Sequence, residues 1–328
     1  MRSLSAPLWA ITSYYNPARY RRRRLNFHAF RRHLAVPLLA IELSPDGRGE
    51  LDDDEADIVL RLRGDDRIWQ KERLLNLGMQ HLPPHVSHVA WIDADLIFAD
   101  PDWSDRARAA LDRDGGMVQL FDTALHLAES VDPDMPFEAR EPMELAFAPG
   151  YSIGRAMREG CFAQLANDWG KRSAGQPVST DAYNVFGFAW AARRDVVTAA
   201  GLYDSNVIGG GDAIVAFAHV GQLEQFLVSR PYTEAHREHI RRWVARARDA
   251  GLLAHMGDVP QTAWHLWHGA IANRNYVTRY QVLVDHDYDP ARDIVIEPEQ
   301  PLRWADPGSA MANAVARYFF ERREDGAY

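Results

Sequence analysis

The chain has 328 residues, 47% of them hydrophobic and 25% charged, which is the composition of an ordinary globular protein able to bury a sizeable core. Its 46 acidic side chains outnumber 37 Lys and Arg, and the resulting net charge of -9 excludes a global attraction to nucleic acid or to an anionic membrane. Cys161 is the only cysteine, so no intramolecular disulfide can form, and no long apolar segment marks a signal peptide or a membrane span; the chain reads as cytoplasmic.

In chain order, Leu8 to Thr12 predicts a short buried strand and Ser13 to Pro17 a turn. An Arg-rich helix follows over Arg21 to Leu34, then a second strand from Val36 to Glu42 with Pro37 near its start, where the missing donor costs least. Strand, helix and strand in this order predict a parallel sheet covered by helices. Residues 50–57 are acidic and read as an exposed loop before a third strand, Ile58 to Leu62. Between Ile68 and Met79 the spacing predicts a helix, with Leu75, Met79 and Leu82 on one stripe and Pro83-Pro84 as its stop.

The next apolar run, Val89 to Phe98, contains Asp93 and Asp95. On an extended backbone both carboxylates project to one side, at the carboxyl end of a central strand, where open α/β sheets place their ligands. Such a pair can hold a hard divalent cation that also clamps a diphosphate. The plainer alternative is turn capping, the role expected of Asp100 and Asp102 around Pro101. Residues 122–175 lack clean periodicity and carry Pro133, Pro136, Pro142 and Pro149, which predicts a long lid-like excursion. Val185 to Ala192 reads as a returning strand, and Ala213 to Phe226, Glu234 to Ala250 and Met311 to Arg322 read as helices.

Two further stretches carry chemistry. Gly209-Gly210-Gly211 strips side chains from the backbone just before Asp212, allowing unusual dihedrals and close approach of a ligand; a helix N-cap is the plainer role for that Asp. Trp264-His265-Leu266-Trp267-His268-Gly269 packs two histidines and two indoles into six residues. Neutral imidazole completes coordination shells begun by carboxylates, and His268, followed by a glycine, is the better ligand candidate, with His265 standing behind it. The tryptophans serve equally for packing or as flat faces for a sugar or base. Seven arginines between Arg19 and Arg32 form either a solvated helix face or a local anion site.

Taken together, Asn16-Pro17 with the arginines after it, Trp69 to Gly78, Asp93-Ala94-Asp95, Phe186-Gly187-Phe188, Gly209 to Asp212 and His268 resemble, in order, the motifs of GT-A glycosyltransferases. The likeness spans roughly residues 8–270 and is nearest to the β-1,4-galactosyltransferase-type branch. It implies a GT-A (Rossmann-like) α/β fold: a mostly parallel twisted sheet flanked by helices. The implied organisation is one domain over 1–287, with 122–175 as insertion or lid, 213–260 as a helical acceptor-side region, and 288–328 as a C-terminal extension ending in a helix.

The resemblance also implies roles. Thr12, Tyr14, Asn16, Pro17, Arg19 and Arg21 hold the nucleotide sugar; Trp69, Lys71 and Arg73 line its base or phosphates, and Gly210 and Gly211 its approach. Asp95 binds Mn²⁺ or Mg²⁺ directly with His268, Asp93 contacts ribose or metal, and Asp212 is the base. Gly211 stands where that branch carries an acidic residue gripping the acceptor, and the 122–175 excursion has no counterpart. The implied reaction is metal-dependent, inverting transfer from a nucleotide sugar, UDP-linked, to a hydroxyl acceptor, carbohydrate first and a DNA base second. Two other readings stand beside it: a nucleotidyltransferase acting on sugar phosphates, against which the first loop, Thr12 to Pro17, lacks the usual Gly-rich basic sequence, and a non-catalytic carbohydrate- or nucleic-acid-binding relative.

Overall fold

In a computed structural model, which describes residues 4–132, 144–146, 148–173, 176–276 and 278–326, the strands that carry the site are β1 (Leu8–Tyr15), β2 (Leu38–Ser44), β3 (Ile58–Arg63), β4 (His88–Ile92), β5 (Leu96–Phe98), β6 (Met117–Gln119), β7 (Thr123–His126), β8 (Gly150–Tyr151), β9 (Tyr183–Asn184), β10 (Ala189–Arg193), β11 (Met256–Asp258) and β12 (Thr262–His265). The helices are α1 (Arg21–His33), α2 (Lys71–Gln80), α3 (Trp103–Asp114), α4 (Ile153–Arg158), α5 (Phe162–Ser173), α6 (Arg194–Ala200), α7 (Gly211–His219), α8 (Leu223–Ser229), α9 (Glu234–Asp249), α10 (Gln281–Asp285), α11 (Pro290–Asp293) and α12 (Ala310–Glu321).

Trp9 and Ile11 enter one core and Leu8 and Ala10 the other, so β1 is buried on both faces and reads in the sequence as an unbroken apolar run. It lies between β2 and β4, both parallel to it, with Ile11 opposite Leu39 and Trp91. The full sheet has seven strands in the order β11-β6-β10-β4-β1-β2-β3, parallel except that β10 runs against both neighbours. Leu74, Leu75 and Met79 of α2 cover one face, and Phe27 and Phe30 of α1 with Trp103 and Leu111 of α3 cover the other. At Gly78 a Cβ would collide with Ile41, which is why α2 can lie so close on β2. This is the expected α/β architecture: a mostly parallel sheet between helical layers.

A second sheet, in the order β5-β12-β7-β8-β9, grows from the carboxyl edge of the first. It changes the reading of the 122–175 stretch, whose described part holds two of these strands and the helices α4 and α5, with Ser152 capping α4 through its side chain. Pro133, Pro136 and Pro142 lie outside the described residues.

Other differences have local causes. The turn expected from Ser13 is strand as far as Tyr15, which pairs with Leu43. The helix expected from Ile68 starts at Lys71, because the Trp69 amide is committed to the Val207 carbonyl. The expected strand from Val185 starts at Ala189, since Phe188 adopts φ +80° and breaks the extended chain. The helix expected over Ala213 to Phe226 is two helices, broken near Gly221 at φ +73°. The acidic 50–57 loop is not simply solvated: Leu51 and Ala56 are buried, while Glu55 and Asp57 pair with Arg24 and Arg31 of α1. No helix among the described residues is long and apolar enough to cross a membrane.

Candidate active site

The Asp93-Ala94-Asp95 motif lies between β4 and β5, at the point where the chain leaves one sheet for the other. The strand alternation expected of it therefore does not apply, because Asp93 follows the last residue of β4 and the next residues turn. The two carboxylates serve different neighbours. Asp93 Oδ1 is 3.2 Å from Lys71 Nζ, whereas Asp95 Oδ2 is 3.0 Å from His268 Nε2 and 3.8 Å from His265 Nε2.

Antiparallel pairing brings the histidines there. His265 sits opposite Leu96 at the end of β12, and the Leu266 amide donates to the Asp95 carbonyl at 2.8 Å. One ligand atom from each of Asp95, His265 and His268 falls within 4.8 Å of the others, and Asp95 Oδ1 is buried without a hydrogen-bond partner among the described residues. Burial pushes the His265 imidazole well below its usual range and His126 beside it down to about 3, so both rings stay neutral. Burial works against charge on Asp95, yet His268 holds its carboxyl well below the carboxylate range. A carboxylate with one oxygen at two imidazole nitrogens and the other buried without a partner among the described residues fits a divalent ion, and an N₂O donor set suits Mn²⁺ better than Mg²⁺. His265 thus joins the cluster itself. Glu324 Oε1 lies 3.8 Å from His268 Nδ1, where a carboxylate can orient a metal-binding ring.

Opposite this cluster, α2 and α7 start beside one another. Lys71 opens α2 and its Nζ lies 2.9 Å from Asp212 Oδ2, 3.2 Å from Asp93 and 4.0 Å from Glu72. Asp212 is in the first turn of α7, so it is not the N-cap; that position belongs to Gly210 at φ +99°, where a Cβ would collide with the Tyr280 hydroxyl. Gly187 also leaves room for Asp212, whose Oδ2 lies 2.6 Å from where a Cβ would stand. Burial raises Glu72 to about 7 and Asp93 to about 6 even with the ammonium adjacent. Burial opposes charge on Lys71 as well, but Asp212, Asp93 and Glu72 hold its proton well above the ordinary range.

Both clusters open into one cavity of about 500 Å³. Of the residues expected to bind a nucleotide sugar, Tyr14, Trp69, Lys71, Asp93 and Gly210 line it, and so does Asp212, expected as the base. Trp69 stacks on Phe319 at 6.3 Å, and the Arg322 guanidinium covers it at 5.0 Å.

The remaining residues lie off the cavity lining. Thr12 Oγ1 donates to the Ile92 carbonyl at 2.7 Å, and Asn16 bonds Tyr20 and Glu50. Pro17 and Arg19 are in the turn before α1, and the Arg21 amide donates to Asp325. Arg73, itself buried, donates to the Gln300 and Glu297 carbonyls, and Gly211 packs on Glu72. Within the arginine run, Arg23, Arg24 and Arg31 are tied to Glu324, Glu55 and Asp57, so it is not a free basic patch.

Glu72, Arg274, Arg322 and Glu324 are residues at the site to which the sequence assigns no role, while Arg23 belongs to the arginine run read as a solvated face or an anion site. Arg274 Nη2 donates to the His268 carbonyl at 2.9 Å and approaches its Nδ1 at 2.7 Å. Glu72, adjacent to Lys71 in a quoted motif, and Arg23, within the arginine run, carry a local signal; Arg274, Arg322 and Glu324 belong to segments without one.

No known family's profile and no curated protein matches the chain. Among solved structures it is similar to Staphylococcus aureus TarS (9% identity over 87% of this chain, TM-score 0.39), of which it spans 41%. It is likewise similar to glucosyl-3-phosphoglycerate synthase from Mycobacterium tuberculosis, in complex with Mn²⁺, UDP and glucosyl-3-phosphoglycerate (12% identity, 90% of this chain and 86% of that one, TM-score 0.39). A third is 4-diphosphocytidyl-2C-methyl-D-erythritol synthase from Anaerococcus prevotii (11% identity, 77% and 86%, TM-score 0.33). Likenesses this distant assign no family, and the functional reading below rests on the residues.

Proposed function

We propose that this chain is a GT-A-type, metal-dependent glycosyltransferase that moves a sugar from a nucleotide sugar, UDP-linked, to a hydroxyl acceptor with inversion at the anomeric carbon. The observation that carries it is the sharing of one cavity by two clusters, Asp95 with His265 and His268, and Asp212 with Lys71 and Asp93. Asp95, His265 and His268 would hold the ion, which when bound offsets the charge that builds on a diphosphate leaving group.

The chain's own groups supply the remaining work. Trp69 and Tyr14 put aromatic rings on the cavity lining for the base. Asp212, paired with the Lys71 ammonium, accepts the proton of the incoming hydroxyl as the new bond from that oxygen to the anomeric carbon forms and the bond to the diphosphate breaks. One carboxylate placed for deprotonation implies a single displacement, hence inversion. Thr12, Asn16 and Arg73 serve the frame around the cavity. The test is Mn²⁺-dependent UDP binding by calorimetry together with turnover of UDP-sugars; absence of both in the full chain would overturn the reading.

A further inference from the structure

The charges lining the cavity do not balance locally. Asp93, Asp212 and Glu72 gather around Lys71, and Asp95 faces the histidines. The other charged groups on the lining are the guanidinium groups of Arg23, Arg230, Arg274, Arg279 and Arg322. Glu324 takes up Arg23 at 2.6 Å and Arg322 at 2.5 Å. Among the described residues, Arg230, Arg274 and Arg279 have no carboxylate at ion-pair distance. A guanidinium in a half-enclosed cavity without a counter-ion is costly, and an arriving anion offsets that cost.

Arg279 is the most completely organised of the three. Its Nη1 donates to Tyr318 Oη at 3.0 Å and its Nη2 to Tyr280 Oη at 3.1 Å, while its plane lies 5.1 Å from the Tyr276 ring and 5.0 Å from that of Tyr280. Its Nε is buried and has no hydrogen-bond partner among the described residues. The same Nη2 comes within 3.1 Å of where a Cβ on Gly210 would stand, which puts the guanidinium against the cap of the helix that carries Asp212. Arg274, by contrast, touches His268, on the metal side.

We propose that Arg279, aided by Tyr280 and Arg230, recognises an anionic group, a phosphate monoester or a carboxylate, on the acceptor whose hydroxyl is presented to Asp212. This rests on the glycosyltransferase reading above. A divalent cation at Asp95 and His268 matches the charge of the donor diphosphate, so Arg279, against the cap of the helix that carries Asp212, and Arg230, on the same cavity lining, are left for the other substrate. A planar guanidinium already fixed by two tyrosine hydroxyls suits oxyanion recognition, because little freedom is lost on binding.

The test uses the full chain with Mn²⁺ and its donor, and three matched acceptors: a neutral hexose, the same hexose as its phosphate monoester, and the same hexose as its uronic acid. One of the anionic pair should show kcat/KM about tenfold to hundredfold above the neutral sugar, the size of a charged hydrogen bond, and which one responds identifies the group. Arg279→Met should erase that preference while UDP·Mn²⁺ affinity, read by calorimetry, stays within about threefold, and Arg279→Lys should restore part of it. Arg230→Gln, at a less constrained position, should reduce the preference as well, so the proposal stands or falls even where Arg279→Met does not fold. Equal use of neutral and anionic acceptors overturns the proposal and leaves the glycosyltransferase reading intact. So does a preference for UDP-glucuronate over UDP-glucose with no acceptor preference, or loss of UDP binding in a folded Arg279→Met. Failure of the wild-type chain to bind UDP or turn over any donor overturns both.

Discussion

Lys71 Nζ donates to Asp212 Oδ2 at 2.9 Å, joining the first residue of one helix to the first turn of another across 141 residues of chain. The ammonium and the N-terminus of α7 both set positive charge beside this carboxylate. Asp212→Asn keeps the shape and removes the proton acceptor. It should lower transfer by at least about a hundredfold, the usual contribution of a positioned base, while UDP·Mn²⁺ affinity changes by less than about threefold. Parallel calorimetry and turnover measurements check this, and a variant that keeps full turnover would remove Asp212 from the chemistry.

The proposed metal cluster makes a different prediction, because its residues would act on binding. Asp95→Ala should abolish Mn²⁺-dependent UDP binding. His268→Ala and His265→Ala should each weaken Mn²⁺ by roughly tenfold to a hundredfold, the latter because its Nε2 lies within the same 4.8 Å cluster. Titration followed by Mn²⁺ paramagnetic resonance gives the affinities directly. If His265→Ala binds Mn²⁺ as the wild type does, the ring only packs.

Glu72 ties stability to pH. Burial raises its folded-state pKa to about 7, above the ordinary 4.5. The folded state therefore binds the proton more tightly than the unfolded chain, so this group's contribution is fully present below about pH 4.5 and is lost as pH rises through about 7. Glu72→Gln should remove that loss and be the more stable protein at pH 8, by up to about 3 kcal/mol. Denaturant melts of both proteins across that window measure it; parallel curves with no convergence at low pH would reject the assignment.

What was legible in the sequence follows the range over which each signal acts. The parallel sheet was readable because β1, β2 and β4 are apolar on both faces, and Asp95, His268 and Asp212 because each sits in a short run with its own chemistry. The Asp93–Asp95 geometry was misread because alternation assumes one continuous strand, whereas the chain changes sheets between them. The second sheet was hidden in strands of two to four residues, too short for a period to register. Arg274 and Arg279 reach the cavity, and Glu324 the arginines behind it, only through tertiary packing of segments that look unremarkable in sequence. The C-terminal stretch, expected as an extension, is the clearest case: Phe319 and Arg322 line the cavity and Glu324 is fully buried.

That tail yields the last prediction. Tyr20 offers no side chain to cap α1, and Asp325 does so instead, accepting from the Arg21 and Arg22 amides at 3.0 and 2.7 Å. Next to it, Glu324 holds Arg23 and Arg322 together inside the protein. Glu324→Gln leaves both guanidinium groups without their counter-charge and should cost about 3–5 kcal/mol, read as a lower denaturant midpoint. Replacing the triad with apolar residues, Arg23→Met, Arg322→Met and Glu324→Leu together, should recover most of that stability, because desolvating the charges is no longer required. Mn²⁺ affinity should not recover with it, since the carboxylate 3.8 Å from His268 Nδ1 would still be missing. Recovery of both would make Glu324 purely structural, whereas recovery of stability alone would place the end of the chain in the metal site.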